Sequence, residues 1–305
     1  MRFAKRIFLF LAINFLVIIT LSTVLSVLGV RPYLTSHGLN LQALMIFCLL
    51  WGVGGALISL ALSRKIAKWL MKIRLIDADH PIGNDAKLMR MIERLSRDSG
   101  LAGVPEVGIF NSPDMNAFAT GPSAKRSLVA VSSGLLEKMS EGELEAVLAH
   151  EISHISNGDM VTMTLIQGIV NAFVMFLARI LAYAIAMTGR GNNRRGGSFM
   201  SFYLLTFAFE FLFMIVGSIV VAFFSRRREF RADRGGALLS GKENMIAALE
   251  RLKMAKSNIE SSTKKDPRAA LNAMMISRPN RLGLLRLFST HPPLDERIAE
   301  LKTLP

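Results

Sequence analysis

The residues His150-Glu151-Ile152-Ser153-His154 spell H-E-x-x-H. On an α-helix, positions four apart lie about 40° apart around the axis and one turn up, so two imidazoles can reach one ion. Glu151 points to the adjacent face, where its carboxylate can take a proton from a water attacking beside that ion. These residue types at this spacing point to metal-assisted hydrolysis; the plainer reading is a solvated helix face with two incidental histidines. A catalytic metal of this kind needs a third protein ligand and an open position. The extended motif that would supply a third histidine is absent, because Asn157 and Met160 stand at its Gly and His places. Glu229 and Asp233 form E-x-x-x-D, an i, i+4 pair. One of these carboxylates could bind the metal while the other orients a histidine by accepting its ring N–H. Alternatively both are surface acids amid Arg226, Arg227, Arg228 and Arg231. An all-N/O ligand set permits zinc and other divalent ions alike.

Helices must position these groups. Ser140 and Glu143 form a capping box, and the apolar residues Leu144, Val147, Leu148, Ile152 and Ile155 carry a helix from there to Gly158. Leu88, Met91, Ile92 and Leu95 recur at helical spacing before Gly100. Between the two, short β-like runs at 107–110, 117–120 and 127–132 are separated by Pro and Gly, which predicts a small sheet. Further helical patterns lie near 226–239, 243–257 and 293–302.

The remainder is too apolar for an ordinary soluble protein. Of 305 residues 51% are hydrophobic and only 20% charged, yet the net charge is +14. A greasy and basic chain suggests membrane spans with positive flanks. Collagen, a disordered tail and a disulfide scaffold are excluded, and the single Cys48 can form no intramolecular bridge. The apolar residues concentrate at 7–30, 39–62, 160–188 and 200–224. The first two contain no Asp, Glu, Lys or Arg and read as transmembrane helices. The first is too long for a signal h-region and is not followed by a cleavage site, so a retained span is expected. In the second, Gly52, Gly55, Ala56 and Ser59 have the small-residue spacing that admits a neighbouring helix; the alternative is simple tolerance of glycine in lipid.

The other two runs contain Arg179 and Glu210 and are joined by the Arg/Gly-rich turn 189–198. In an antiparallel hairpin the two charges lie at nearly the same depth, which predicts either an Arg179–Glu210 pair or separate roles facing a polar cavity. The Lys/Arg bias supports this layout: Arg2, Lys5 and Arg6; Arg64, Lys65, Lys68, Lys72 and Arg74; and Arg226 to Arg234 flank the spans on one side, against Arg31 on the other. The positive-inside rule therefore puts both termini and the polar segments in the cytoplasm. Arg190, Arg194 and Arg195 dissent from it. The expected organisation is a membrane hairpin (1–62), a first polar portion (63–159), a second membrane hairpin (160–224) and a second polar portion (225–305). Two crossings return the chain to the same face, which brings Glu229 back to the histidines.

At these motifs the chain resembles the HtpX-type membrane metallopeptidases, gluzincins related to the CAAX prenyl endopeptidases, over essentially its full length. The resemblance implies one zinc per chain held by His150, His154 and Glu229, with Glu151 as general base and Asp233 supporting the site. Asn116-Ala117-Phe118-Ala119 looks like the family's edge strand, which holds an extended substrate beside the metal; a turn starting at Asn116 is the bland alternative. His291-Pro292-Pro293 with Arg297 resembles a family element placed over the active site, where a cation could stabilise the oxyanion. Alternatively the prolines merely start the last helix. His37 and His80 have no plausible metal partnership.

The expected fold is thus a mainly α integral membrane protein. It has four transmembrane or membrane-embedded helices plus a gluzincin-like α+β metalloprotease domain with a small β-sheet. The expected function is a zinc endopeptidase of the bacterial inner membrane, multi-pass, with its active site in the cytoplasm. It would act on misfolded or damaged membrane proteins. The expected partners are polypeptide substrates and the lipid bilayer, with no nucleic acid. A scaffold or chaperone with a structural metal and a CAAX-type prenyl-peptide peptidase are the alternatives.

Overall fold

The apolar run that begins near residue 39 meets no charge until Arg64, so its helix has no internal reason to stop inside the membrane. In the computed structural model, which describes residues 34, 35, 38–188, 197–263 and 289–304, it continues to Leu70. The run 7–30, Arg2, Lys5, Arg6, Arg31, His37, Arg190, Arg194 and Arg195 lie outside the described residues.

In chain order, strands β1 (Leu34–Thr35) and β2 (Gly38–Leu39) precede helix α1 (Leu41–Leu70), which contains a π-helical turn at Leu50–Gly54. Strand β3 (Arg74–Leu75) and helix α2 (Asn84–Asp98) follow, then strands β4 (Glu106–Phe110), β5 (Ala117–Thr120) and β6 (Leu128–Ser132). The helices after them are α3 (Ser133–Lys138), α4 (Glu141–Ser156), α5 (Asp159–Thr188), α6 (Gly197–Ser240), α7 (Lys242–Thr263) and α8 (Leu294–Lys302). The pattern near 226–239 is therefore not a separate helix. No Gly or Pro interrupts 218–234, so the fourth apolar run and the E-x-x-x-D segment form one rod of 44 residues. The chain divides into two compact units, one of Met1–Ala61 with Thr162–Val221, the other of Leu62–Val161 with Ala222–Pro305.

Three described helices are long and apolar enough to cross a membrane: Leu41–Leu70, Asp159–Ala186 and Met200–Ser240. At about 1.5 Å per residue the last is roughly twice as long as the ~30 Å hydrocarbon core, so its charged part from Arg226 onward lies beyond the span. In the first unit the outward residues are bulky and apolar, among them Phe173, Leu204, Phe207 and Phe211, which suits contact with lipid tails rather than water. The helices meet through small residues. A Cβ on Gly52 would stand 2.6 Å from the backbone N of Ala172 and 2.7 Å from the carbonyl of Gly168, so only glycine permits this approach of α1 and α5. Arg179 and Glu210 do pair, Nη1 donating to Oε1 at 2.5 Å, and the guanidinium also lies over the Phe47 ring. The apolar setting makes an unpaired charge costly, which is why the two share one depth.

The second unit is built on a four-stranded sheet of order β3-β4-β6-β5, with β4 and β6 parallel and the other pairs antiparallel. Strand β6 is buried along its whole length, as its continuous apolar run requires. Leu88, Ile92 and Leu95 of α2 pack with Val107, Val129 and Val131 of the sheet and with Leu148, Ile152 and Ile155 of α4. Ala146, on the far side of α4, joins Ala237, Met245, Leu249, Ile298 and Leu301 of α6, α7 and α8. Helix α4 is thus held between two cores.

Gly52→Val should lower the thermal stability of the detergent-solubilised protein by about 1–3 kcal/mol through overpacking. The exposed Leu57→Ala should leave the melting temperature unchanged. Equal melting of Gly52→Val and the parent protein would show that the close approach is not required.

Candidate metal centre

The metal-binding chemistry depends first on where α4 begins. The Ser140 hydroxyl accepts from the Glu143 N–H and the Glu143 carboxylate accepts from the Ser140 N–H, so the expected capping box is formed. Helix α4 then runs to Ser156, with Gly158 at φ 66° turning the chain into α5. His150 and His154 stack one turn apart on it, their Nε2 atoms 3.1 Å from each other. Both are buried.

Helix α6 supplies the third group. Glu229 is 1% exposed, with Oε2 3.6 Å from His150 Nε2 and Oε1 3.4 Å from His154 Nε2. Small residues let α6 come this close. A Cβ on Gly236 would stand 3.3 Å from the backbone N of His150, and one on Gly235 would collide with the Ser153 hydroxyl at 2.5 Å. Neither glycine was singled out in the sequence, because a glycine inside a helix shows its purpose only once the facing helix is known.

The outer nitrogens of both imidazoles face carboxylates. His154 Nδ1 donates to Asp159 Oδ2 at 2.7 Å, leaving its Nε2 directed at the cluster. His150 Nδ1 is 2.9 Å from Asp233 Oδ1, an ion-pair distance at an angle too oblique for a full hydrogen bond. Such carboxylate–histidine pairs set the tautomer and orientation of a metal ligand. Asp159 escaped the sequence reading; the available signal was a lone acid placed before a long apolar run. Arg297 donates to both oxygens of Asp233, Nε at 2.7 Å and Nη2 at 2.5 Å, and its Nη1 lies 3.7 Å from Glu229. The guanidinium expected near an oxyanion is thus buried and engaged by two carboxylates of the cluster. His291 Nδ1 donates to Glu229 Oε2 at 2.9 Å while its side chain is 63% exposed. Glu151 is half-buried on α4, and its charge is felt by both His154 and Arg297. His80 is exposed and belongs to no such cluster.

Burial disfavours the charged form of His154, but hydrogen bonds to Asp159 and Glu229 outweigh it and raise the pKa from 6.5 to about 9. His150 is raised as well, the adjacent carboxylates of Asp233 and Glu229 outweighing its burial. Burial would neutralise Glu229, yet the three imidazoles hold it well below the ordinary carboxylate range. Asp233 is likewise lowered against its burial, by Arg297 and His150, and Arg297 is raised in return.

The donor set fits a divalent ion. His150, His154 and Glu229 each offer one atom within 4.8 Å of the others. Two nitrogens on a tetrahedral zinc at about 2.05 Å would stand roughly 3.3 Å apart, close to the spacing of the two Nε2 atoms. Glu229 Oε1, although buried, makes no hydrogen bond. These three residues as ligands would leave one position of a tetrahedral ion open, as in catalytic rather than structural sites.

Beyond the metal cluster, β5 lies at the edge of the sheet and packs against α4. Asn116 anchors its start, its N–H donating to the Ser132 hydroxyl and its carbonyl accepting from the Ser132 N–H. Among the described residues Ala117, Phe118 and Ala119 pair on one side only, with β6.

Comparison with known proteins agrees with this geometry. The model of the family described as Peptidase family M48 matches residues 83–304. The chain belongs to peptidase family M48. The match takes in the H-E-x-x-H helix, the E-x-x-x-D segment and the His-Pro element. A protein named protease HtpX homolog from Bacillus subtilis is 48% identical over 306 residues, covering 98% of this chain and 99% of that protein. Another of that name from Thiobacillus denitrificans is 47% identical over 300 residues, again covering 98% and 99%. The crystal structure of S. mikatae Ste24p superposes with a TM-score of 0.65 at 19% identity over 98% of this chain and 65% of that longer one, a likeness of fold. The chain is an M48 metallopeptidase of the HtpX type, zinc-dependent as its family is.

Because His154 of the metal-free protein titrates near 9, zinc must displace protons at neutral pH. Apparent zinc affinity should therefore rise as pH increases and level off above about 9, with proton release visible by calorimetry in buffers of different ionisation enthalpy. The metal-free protein behaves oppositely. Stability from His154 protonation is fully present below 6.5 and lost as pH rises through about 9. A pH-independent zinc affinity would contradict both. Arg297→Gln should weaken zinc binding about 10- to 100-fold by freeing Asp233. Arg297→Lys should recover only part of this, because lysine lacks the two-pronged donor.

Proposed function

We propose that this M48 peptidase is a membrane-embedded zinc endopeptidase that cleaves misfolded or damaged membrane proteins on the cytoplasmic side of the bacterial inner membrane. The observation that carries the reading is the juxtaposition of a three-ligand cluster with the neighbouring carboxylate of Glu151 and an open edge strand on the same helix. Its assignments are His150, His154 and Glu229 as ligands of one zinc, and Glu151 as general base. An extended polypeptide adds to β5, with Asn116, Ala117, Phe118 and Ala119 supplying main-chain hydrogen bonds, which accepts many sequences. The three long apolar helices among the described residues lie in the membrane and join a gluzincin-type peptidase domain. Both termini lie in the cytoplasm, following the Lys/Arg bias.

Zinc, when bound, supplies Lewis-acid polarisation and lowers the pKa of water. The protein does the rest. Glu151 accepts the proton of the attacking water and delivers it to the nitrogen of the leaving amine. Asp159 and Asp233 keep the Nε2 atoms of His154 and His150 aimed at the ion. Arg297 acts through Asp233 and Glu229 as a positioning residue. His291, bound to Glu229 and largely exposed, is the member of the cluster that can meet the substrate.

Glu151→Gln should retain stoichiometric zinc and lose about 10²- to 10⁴-fold in kcat/KM on an unfolded membrane protein. Cleavage at the parental rate by zinc-loaded Glu151→Gln protein would overturn the assignment.

A further inference from the structure

Helix α6 leaves the apolar run at Phe224 and within ten residues carries Arg226, Arg227, Arg228, Arg231 and Arg234. A topological flank requires only the charge. The structure divides these five by direction. Arg226 donates to the Ser289 carbonyl and Arg228 lies 3.5 Å from Glu229, so both are turned to the protein. Arg227, Arg231 and Arg234 are exposed and, at i, i+4 and i+7, share one face. With Phe230 and Glu300 they line a concave cavity of about 540 Å³. That volume lies in the range of small-molecule sites, about 300–1,000 Å³.

Two of the three guanidinium groups are held in place. Arg234 pairs with Glu300, and Arg231 Nη2 lies 3.5 Å from Asp159, yet their side chains remain 54% and 59% exposed. Arg227 stacks over Phe223, its Cζ 4.8 Å from the ring centre. The cationic faces are therefore oriented and still open. Counted along the helix, Arg227, Arg231 and Arg234 follow Phe224 by roughly 4, 10 and 15 Å. The headgroup layer extends about 5–8 Å beyond the hydrocarbon core, and arginine side chains reach back toward it. Clustered basic residues at this depth recognise anionic headgroups, at about 1 kcal/mol each.

We propose that this groove is a binding site for the phosphate headgroup of an anionic phospholipid, with Arg227, Arg231 and Arg234 on the phosphate and Phe223 and Phe230 beside the start of the acyl chains. The proposal rests on the membrane reading of α6 but not on peptide cleavage. It is therefore tested in the inactive Glu151→Gln background. Full-length protein in detergent is titrated with phosphatidylglycerol or phosphatidylcholine, and retained lipid is counted by native mass spectrometry alongside the melting temperature. Phosphatidylglycerol should be retained and should raise the melting temperature, while phosphatidylcholine and inorganic phosphate should do neither. Arg227→Gln should weaken retention about fivefold, and Arg227→Gln with Arg231→Gln about thirtyfold. The exposed Lys125→Gln, which removes the same charge elsewhere, should retain lipid as the parent does. Parental phosphatidylglycerol retention by the double variant would overturn the site. So would equal losses in Lys125→Gln, which would reduce the effect to bulk charge. Protection by inorganic phosphate, or by an acidic peptide in place of the lipid, would overturn the choice of ligand.

Discussion

Glu229 is a carboxylate removed almost wholly from water, and the peptidase unit is arranged around keeping it charged. Desolvating an anion costs several kcal/mol unless opposite charge and hydrogen-bond donors replace the lost water. Here the replacements are His150, His154, His291 and Arg297, drawn from two separate stretches of chain. Each is constrained in turn: Asp159 holds His154, and Asp233 lies between His150 and Arg297. The same crowding that stabilises the anion supplies the lone pairs a divalent ion needs.

Helix α6 contains this logic twice. In its apolar part Glu210 meets Arg179, a single partner across the helical pair. In its polar part Glu229 and Asp233 meet imidazoles and a guanidinium. Both lie on one unbroken helix of 44 residues. Small residues decide how near its neighbours come: Gly217 on the membrane side, Gly235 and Gly236 beside the histidines. The arginines of the same rod serve the two settings differently, some turned to the cluster and others to solvent.

Much of the chemistry was legible because its residues are close in sequence. H-E-x-x-H, its capping box and the E-x-x-x-D pair lie within single helices, where 3.6-residue geometry determines which side chains align. The short strands and α2 were legible for the same reason, through local periodicity and turn residues. The continuity of α6 was not, since a change from apolar to charged composition imitates a boundary although no Gly or Pro breaks the helix between 218 and 234. Asp159 and the glycines were hidden because their partners lie on other elements.

By itself, then, the sequence determined that two imidazoles share one helix face with a carboxylate on the adjacent one, that an acidic pair stands at i, i+4, and that apolar runs long enough to span a bilayer carry basic flanks. Each follows from chain-local geometry or from length. Only the tertiary structure decided that Glu229 faces both histidines, that Asp159 and Asp233 divide them between themselves, and that Arg297 grips Asp233. These are contacts across 64 to 83 residues or across a helix turn of unspecified direction. They are selected by burial and charge balance, which act in space and leave no period in the chain.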